Sequence, residues 1–183
     1  MYIINERKHP IMSVPAPYRK KSTILYLDQL FQLNASIGTL VPSMPEKYRK
    51  VYGDMMIRTG MHALELALNA NTIYVCKTLS KQLFDTRLSF LYSAKSTIEM
   101  LANIYHIYVL ILGRTDPEMT TKKRKQAIKN SENMISWCNT CIELIGGVIR
   151  SDKARYKEYT KDLPPMQYYT CPMVTTNNPF IHF

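Results

Sequence analysis

Cys138 and Cys141 stand as C-x-x-C, the spacing of a redox dithiol or of half a zinc site. A tetrahedral zinc needs further ligands, yet Cys76 and Cys171 are isolated, and His9, His62, His106 and His182 are scattered singly. Both members of the pair fall on the apolar row of a helical pattern, where a free Cys behaves as a small buried hydrophobe. They are read as core. No H-E-x-x-H occurs, and no Ser or Cys nucleophile has a recognisable base nearby. Carboxylate metal sites in helical proteins use Glu-x-x-His on facing helices, and none of Glu65, Glu99, Glu132 and Glu143 begins one. Glu99, Asn103 and His106 share a helical stripe that suits a site between subunits or a solvated face equally well. His62 and His106 are expected as hydrogen-bonded structural residues. Gly146 and Gly147 lack any strand or phosphate-loop context and mark a weak point or a close-packing site. The chain is expected to be no enzyme and to carry no cofactor or metal.

The residues with more to offer are basic. Lys and Arg number 24 against 14 Asp and Glu, a formal charge of +10. That excess bears on partners rather than on fold. What it can grip depends on the elements that gather it.

A chain of 183 residues fits one domain. Apolar residues make up 46% and Gly is only 6, which excludes collagen-like and disordered compositions. Four Cys, no secretory leader and no apolar run long enough to span a bilayer lead to the expectation of a cytoplasmic protein without a membrane segment. The longest apolar stretch, Ile98 to Leu112, is interrupted by Glu99, Asn103 and His106.

Residues 1–21 form a basic arm with Pro10, Pro15 and Pro17, which remove backbone donors and favour extended chain. Residues 151–183 read as a tail, basic and then Pro-rich, ending in the apolar NPFIHF. Between the arms, residues 22–150 are helical throughout. Tyr26, Leu30, Leu33, Ile37 and Leu40 step by fours and threes after a cap at Ser22 or Thr23, and Pro42 ends the segment. Pro45 opens a second helix with Met56, Gly60, Ala63, Ala67, Ala70 and Tyr74 on one row, small enough for close helix approach. A third, from about Lys81 to Leu112, carries the seam Phe84, Leu88, Leu91, Ile98, Ala102, Tyr105, Val109 and Leu112. A flanking row of Phe90, Ala94, Leu101, Ile104, Tyr108 and Ile111 gives that helix more than one neighbour. Thr120 or Thr121 caps a fourth, with Ile128, Ser131, Ile135, Cys138, Ile142, Ile145 and Ile149 on its seam. Short connections and no strand patterning predict an all-α, up-down-up-down antiparallel four-helix bundle.

That arrangement sorts the cations. Lys47, Arg49, Lys50, Arg114, Lys122, Lys123, Arg124 and Lys125 fall at one pole, with Lys129 a turn further in. Arg150, Lys153 and Arg155 join Arg19 to Lys21, Lys77, Lys81, Lys157 and Lys161 at the other. Any single Lys is read as an ordinary solvated helix end. The set is different, because cations at a helix N-terminus oppose its dipole by ~0.3–1 kcal/mol each, and KKRK opens the fourth helix with only Glu46, Asp116 and Glu118 nearby. A nucleic acid would offset the repulsion and release counterions; an acidic protein surface is the alternative. Tyr48, Tyr52, Tyr156 and Tyr159 interleave with the cations, as stacking platforms or interface residues would. Trp137, beside the fourth seam, reads as a packing anchor or interface residue.

The stretch FLYSAKSTIEMLANIYHIYVLILGR, with MPEKYRKVYG, ALNANTI and SENMISWCNTCIELI, resembles the four-helix-bundle superfamily that includes ribosomal RNA intervening-sequence proteins. The resemblance covers residues 22–150. Phe90, Leu91, Ala94, Ser96, Glu99, Leu101 and Gly113 fall where that superfamily shows an apolar pair, a small residue, Ser, Glu, apolar spacing and a closing Gly. The basic balance, Trp137 and the entry TDPEMTTKKRKQAIKN are most similar to the accessory variability determinant of diversity-generating retroelements. The resemblance implies a homopentamer that binds RNA, its cDNA and the element's reverse transcriptase, and supports mutagenic cDNA synthesis without catalysing it. An adaptor that binds protein alone is the competing expectation.

Overall fold

The computed structural model describes residues 25–114 and 119–161. Among them every regular element is helical, and the molecule is all-α. Helix α1 spans Leu25–Leu40 and ends in a 3₁₀ turn, Val41–Ser43, that contains Pro42. Helix α2 runs over residues 46–72 in three pieces: a short opening at Glu46–Tyr48, a π segment at Arg49–Gly53 and the main helix Asp54–Thr72. Helices α3, Lys81–Gly113, and α4, Thr121–Thr160, are much longer. Ser80 and Thr120 cap them, their hydroxyls accepting from Leu83 N at 3.3 Å and Lys123 N at 3.4 Å. The Thr120 cap was expected; Ser22 and Thr23 lie outside the described residues, as do the N-terminal arm and residues 162–183.

Three features differ from the reading of the sequence. The π segment is invisible to a periodic pattern, because one surplus residue per turn merely shifts the phase. Helix α4 continues ten residues beyond position 150, where the charged run Arg150–Lys161 reads as tail. Its extension packs: Asp152 is buried, and the Tyr156 ring stacks on Phe84 with centroids 3.9 Å apart and planes 6° apart. Third, α3 contains an 18-residue stretch that is long and apolar enough to cross a membrane by length and composition, with mean hydropathy 1.3 over that stretch. Its polar residues interrupt that stretch but leave it apolar on average, and its apolar rows pack on α2 and α4 inside the chain.

Helix α1 packs on α2 and α4, and α3 packs on the same two helices. Tyr26, near the start of α1, donates to Ala67 O near the end of α2 at 3.3 Å. Tyr48 and Tyr52 at the start of α2 meet Tyr108 near the end of α3, and Phe84 at the start of α3 meets Tyr156 at the end of α4. Trp137 Nε1 donates to Gln29 Oε1 at 2.8 Å, tying α4 to α1 as a packing anchor. Small residues set the α1–α2 spacing, since a Cβ on Gly60 would stand 2.6 Å from Ile37 Cδ1 and 2.7 Å from Asn34 Oδ1. Gly146 and Gly147 enforce no such approach.

The core follows the predicted rows: Leu30, Leu33 and Ile37; Met56, Ala63 and Ala67; Leu91, Ile98 and Tyr105; Cys138 and Ile145. In the flanking row of α3, Ala94, Leu101, Ile104 and Tyr108 are buried within the chain itself. The neighbours that cover these four are helices of the same chain.

Candidate nucleic-acid interface

The end of α1, the start of α2, the end of α3 and the start of α4 enclose a cleft of about 500 Å³. Lys47 and Lys123 line it from opposite helices, so two of the predicted cations meet across one hollow. Lys47 Nζ sits 5.0 Å from the Tyr48 ring centroid. Lys50 pairs with Glu46 at 2.8 Å, an exposed i,i+4 contact worth ~0.3–0.5 kcal/mol. Arg49 Nη1 reaches Pro42 O at 3.4 Å, and Arg124 Nη2 reaches Met119 O at 3.4 Å.

The first turn of α4 carries no acid. Lys122, Lys123, Lys125 and Lys129 are exposed there and form no ion pair among the described residues. Asp116 and Glu118 lie outside those residues. The partial positive charge of the α4 N-terminus adds to the lysines rather than offsetting them. Arg114 follows the α3 C-terminus, where the dipole favours a cation, and its amide closes the helix on Ile111 O at 3.1 Å.

The other pole is more occupied with itself. Lys153 donates to the Tyr92 hydroxyl at 2.8 Å and lies 5.3 Å from that ring's centroid. Arg155 reaches Asp152 at 3.5 Å and Ser151 Oγ at 3.2 Å. Arg150 is exposed. Beneath them is a pair the sequence reading missed: Arg87 donates to Asp152 at 2.7 Å, with side chains only 4% and 1% exposed. Arg87 also donates to Ala70 O, and to Ile73 O at 2.8 Å, satisfying carbonyls at the end of α2. Spacing could have found it. Arg87 continues the row Leu91, Ala94, Ile98 backwards, and Asp152 continues Cys138, Cys141, Ile145, Val148 forwards.

The interleaved tyrosines are not open platforms. Tyr48 and Tyr52 are half-buried against Tyr108, at 5.8 and 6.1 Å between centroids, and Tyr156 is stacked on Phe84. Their packing claims the faces that bases would need.

Cys138 and Cys141 are fully buried core residues, and burial pushes both thiols up to about 12. Among the described residues no group of His, Cys, Asp and Glu could hold a metal. His106 is exposed rather than structural, and exposed His62 lies 3.4 Å from Glu65. The Glu99 stripe faces outward, with Glu99 3.4 Å from Lys95.

The chain matches no family model, no curated protein and no solved structure.

Proposed function

We propose that this chain is an up-down-up-down antiparallel four-helix bundle and a non-enzymatic, nucleic-acid-binding accessory subunit of a reverse transcriptase. On the resemblance of residues 22–150, its setting is a diversity-generating retroelement, where it supports mutagenic cDNA synthesis. The observation that carries the binding reading is the exposed cationic start of α4, facing Lys47 across the cleft. Its lysines gain more from phosphate than from solvent, because helix dipole and neighbouring cations raise their repulsion together. Contacts of this kind hold phosphates in place without reading bases.

The test is filter binding of single-stranded RNA over a salt series. Replacing Lys122, Lys123, Lys125 and Lys129 by Glu, and sparing Arg124, is expected to weaken retention at low salt and flatten the salt slope. Each lost phosphate contact removes ~0.7 from that slope. Helicity stays unchanged. A wild-type chain whose binding ignores salt would remove the proposal.

Homo-oligomerisation, as a pentamer, belongs to the same reading. Its support is the exposed apolar set Val51 and Met55 on α2 with Met100, Ile107 and Leu110 on α3. A ring of copies repeats the basic pole and converts modest single-site binding into avidity. The same apolar set favours a second reading, a protein-interaction adaptor without direct RNA affinity. Co-purification that survives nuclease, with no retention of isolated RNA, selects it.

A further inference from the structure

The cleft between Lys47 and Lys123 is more than a gap between charges. Its volume, about 500 Å³, falls in the range of small-ligand sites, roughly 300–1,000 Å³. Met44 and Ala127 contribute apolar wall. Gln126 Nε2 donates to Asn130 Oδ1 at 2.7 Å, which fixes both amides and leaves Gln126 Oε1 as an acceptor and Asn130 Nδ2 as a donor. Tyr108 lines the same hollow. Its side chain is 1% exposed, and its hydroxyl has no hydrogen-bond partner among the described residues. Buried hydroxyls are ordinarily bonded, so an orphaned one on a cleft wall marks a place where a polar ligand atom completes the set.

We infer that the cleft accepts one unstacked nucleotide of a single-stranded nucleic acid, its base in the hollow beside Tyr108, Gln126 and Asn130, its phosphate at the mouth on Lys47 and Lys123. The inference rests on the nucleic-acid reading above and adds to it a base-dependent component, which phosphate gripping alone does not supply. A donor and an acceptor on neighbouring amides match the edge of a base. Cations on both sides suit the phosphate that travels with it. A free mononucleotide offers the same chemistry, so the test separates the two.

The experiment compares the full chain's affinity, at one salt concentration, for a labelled ten-residue oligoadenylate, the matching oligouridylate and an abasic ribose-phosphate oligomer of equal length and charge. At least one base-bearing oligomer is expected to bind about tenfold tighter than the abasic one. Ala127→Leu, which fills the hollow, removes most of that preference while leaving abasic affinity within about twofold. Tyr108→Phe, which keeps the ring and deletes the hydroxyl, reduces the preference in a chain that folds normally. Equal affinity for all three oligomers overturns the inference and leaves phosphate binding standing, as does a preference that survives Ala127→Leu. Binding of none overturns both. Saturation by AMP or UMP, with no preference among oligomers, assigns the cleft to a free nucleotide and overturns the strand assignment.

Discussion

Two pairs of neighbouring residues show how much environment decides chemistry. Cys138 and Cys141 have the spacing of a redox motif, but both thiols are held protonated by burial, at about 12 against an ordinary 9.0. Cys76, half-buried beside Thr78 at 3.3 Å, moves the other way, because the Thr78 hydroxyl and amide stabilise its thiolate. In a Cys171→Ser chain at pH 8, one thiol, Cys76, is expected to react quickly with a thiol reagent, and Cys138 and Cys141 only in denaturant. Fast reaction of all three would contradict the packing. The sign for stability follows. The unfolded chain releases these protons from about pH 9, the folded one only near 12, so the unfolded state binds fewer protons in that window and stability falls as pH rises through it. Urea midpoints at pH 8 and pH 10.5 measure the loss, and Cys138→Ala with Cys141→Ala makes it shallower. Raised Tyr105 and Tyr108 add to the same trend.

At the scale of elements, most of the helices were legible because their apolar residues recur at 3.6-residue spacing, as Tyr26, Leu30, Leu33 and Ile37 do in α1. Pro42, Pro45 and Thr120 marked ends for reasons that are local to the backbone. The end of α4 was not legible. Its last turns carry Lys153 and Lys157, with Lys161 just past the end, and look like a solvated tail until Asp152 and Tyr156 are seen against α3. Arg87 and Asp152 hold that extension in place. Removing one partner leaves the other charge buried, so Arg87→Met alone is expected to cost ~3–5 kcal/mol in chemical denaturation. Arg87→Met with Asp152→Leu is expected to cost clearly less, since no charge remains to be desolvated. A double-variant cost equal to the sum of the Arg87→Met and Asp152→Leu costs would show that the pair is not coupled.

Over the whole molecule, charge could be assigned to poles from the order of helices, but the cleft could not. It needs the end of α1, the start of α2, Tyr108 and the first turns of α4 at once, residues separated by up to ninety positions. No local pattern announces such a meeting. The tyrosines illustrate the same limit: Tyr48 and Tyr52 follow Lys47 and Lys50 as a stacking surface would, yet their rings turn inward to Tyr108. The two poles also differ in kind. One commits Lys153 and Arg155 to Tyr92, Ser151 and Asp152, and the other keeps Lys122, Lys125 and Lys129 exposed. Salt sensitivity of RNA retention should accordingly follow the α4 start, and charge reversal at Lys153 should move it much less.

The surplus residue in Arg49–Gly53 sets the azimuth of everything before it. An α-helix advances about 100° per residue, so residues 46–48 are rotated by about that angle from where an unbroken helix would have put them. Lys47 owes its place on the rim to this offset. Shortening the segment by one residue would leave the composition and the helix count nearly untouched while swinging that lysine to a different side of the molecule.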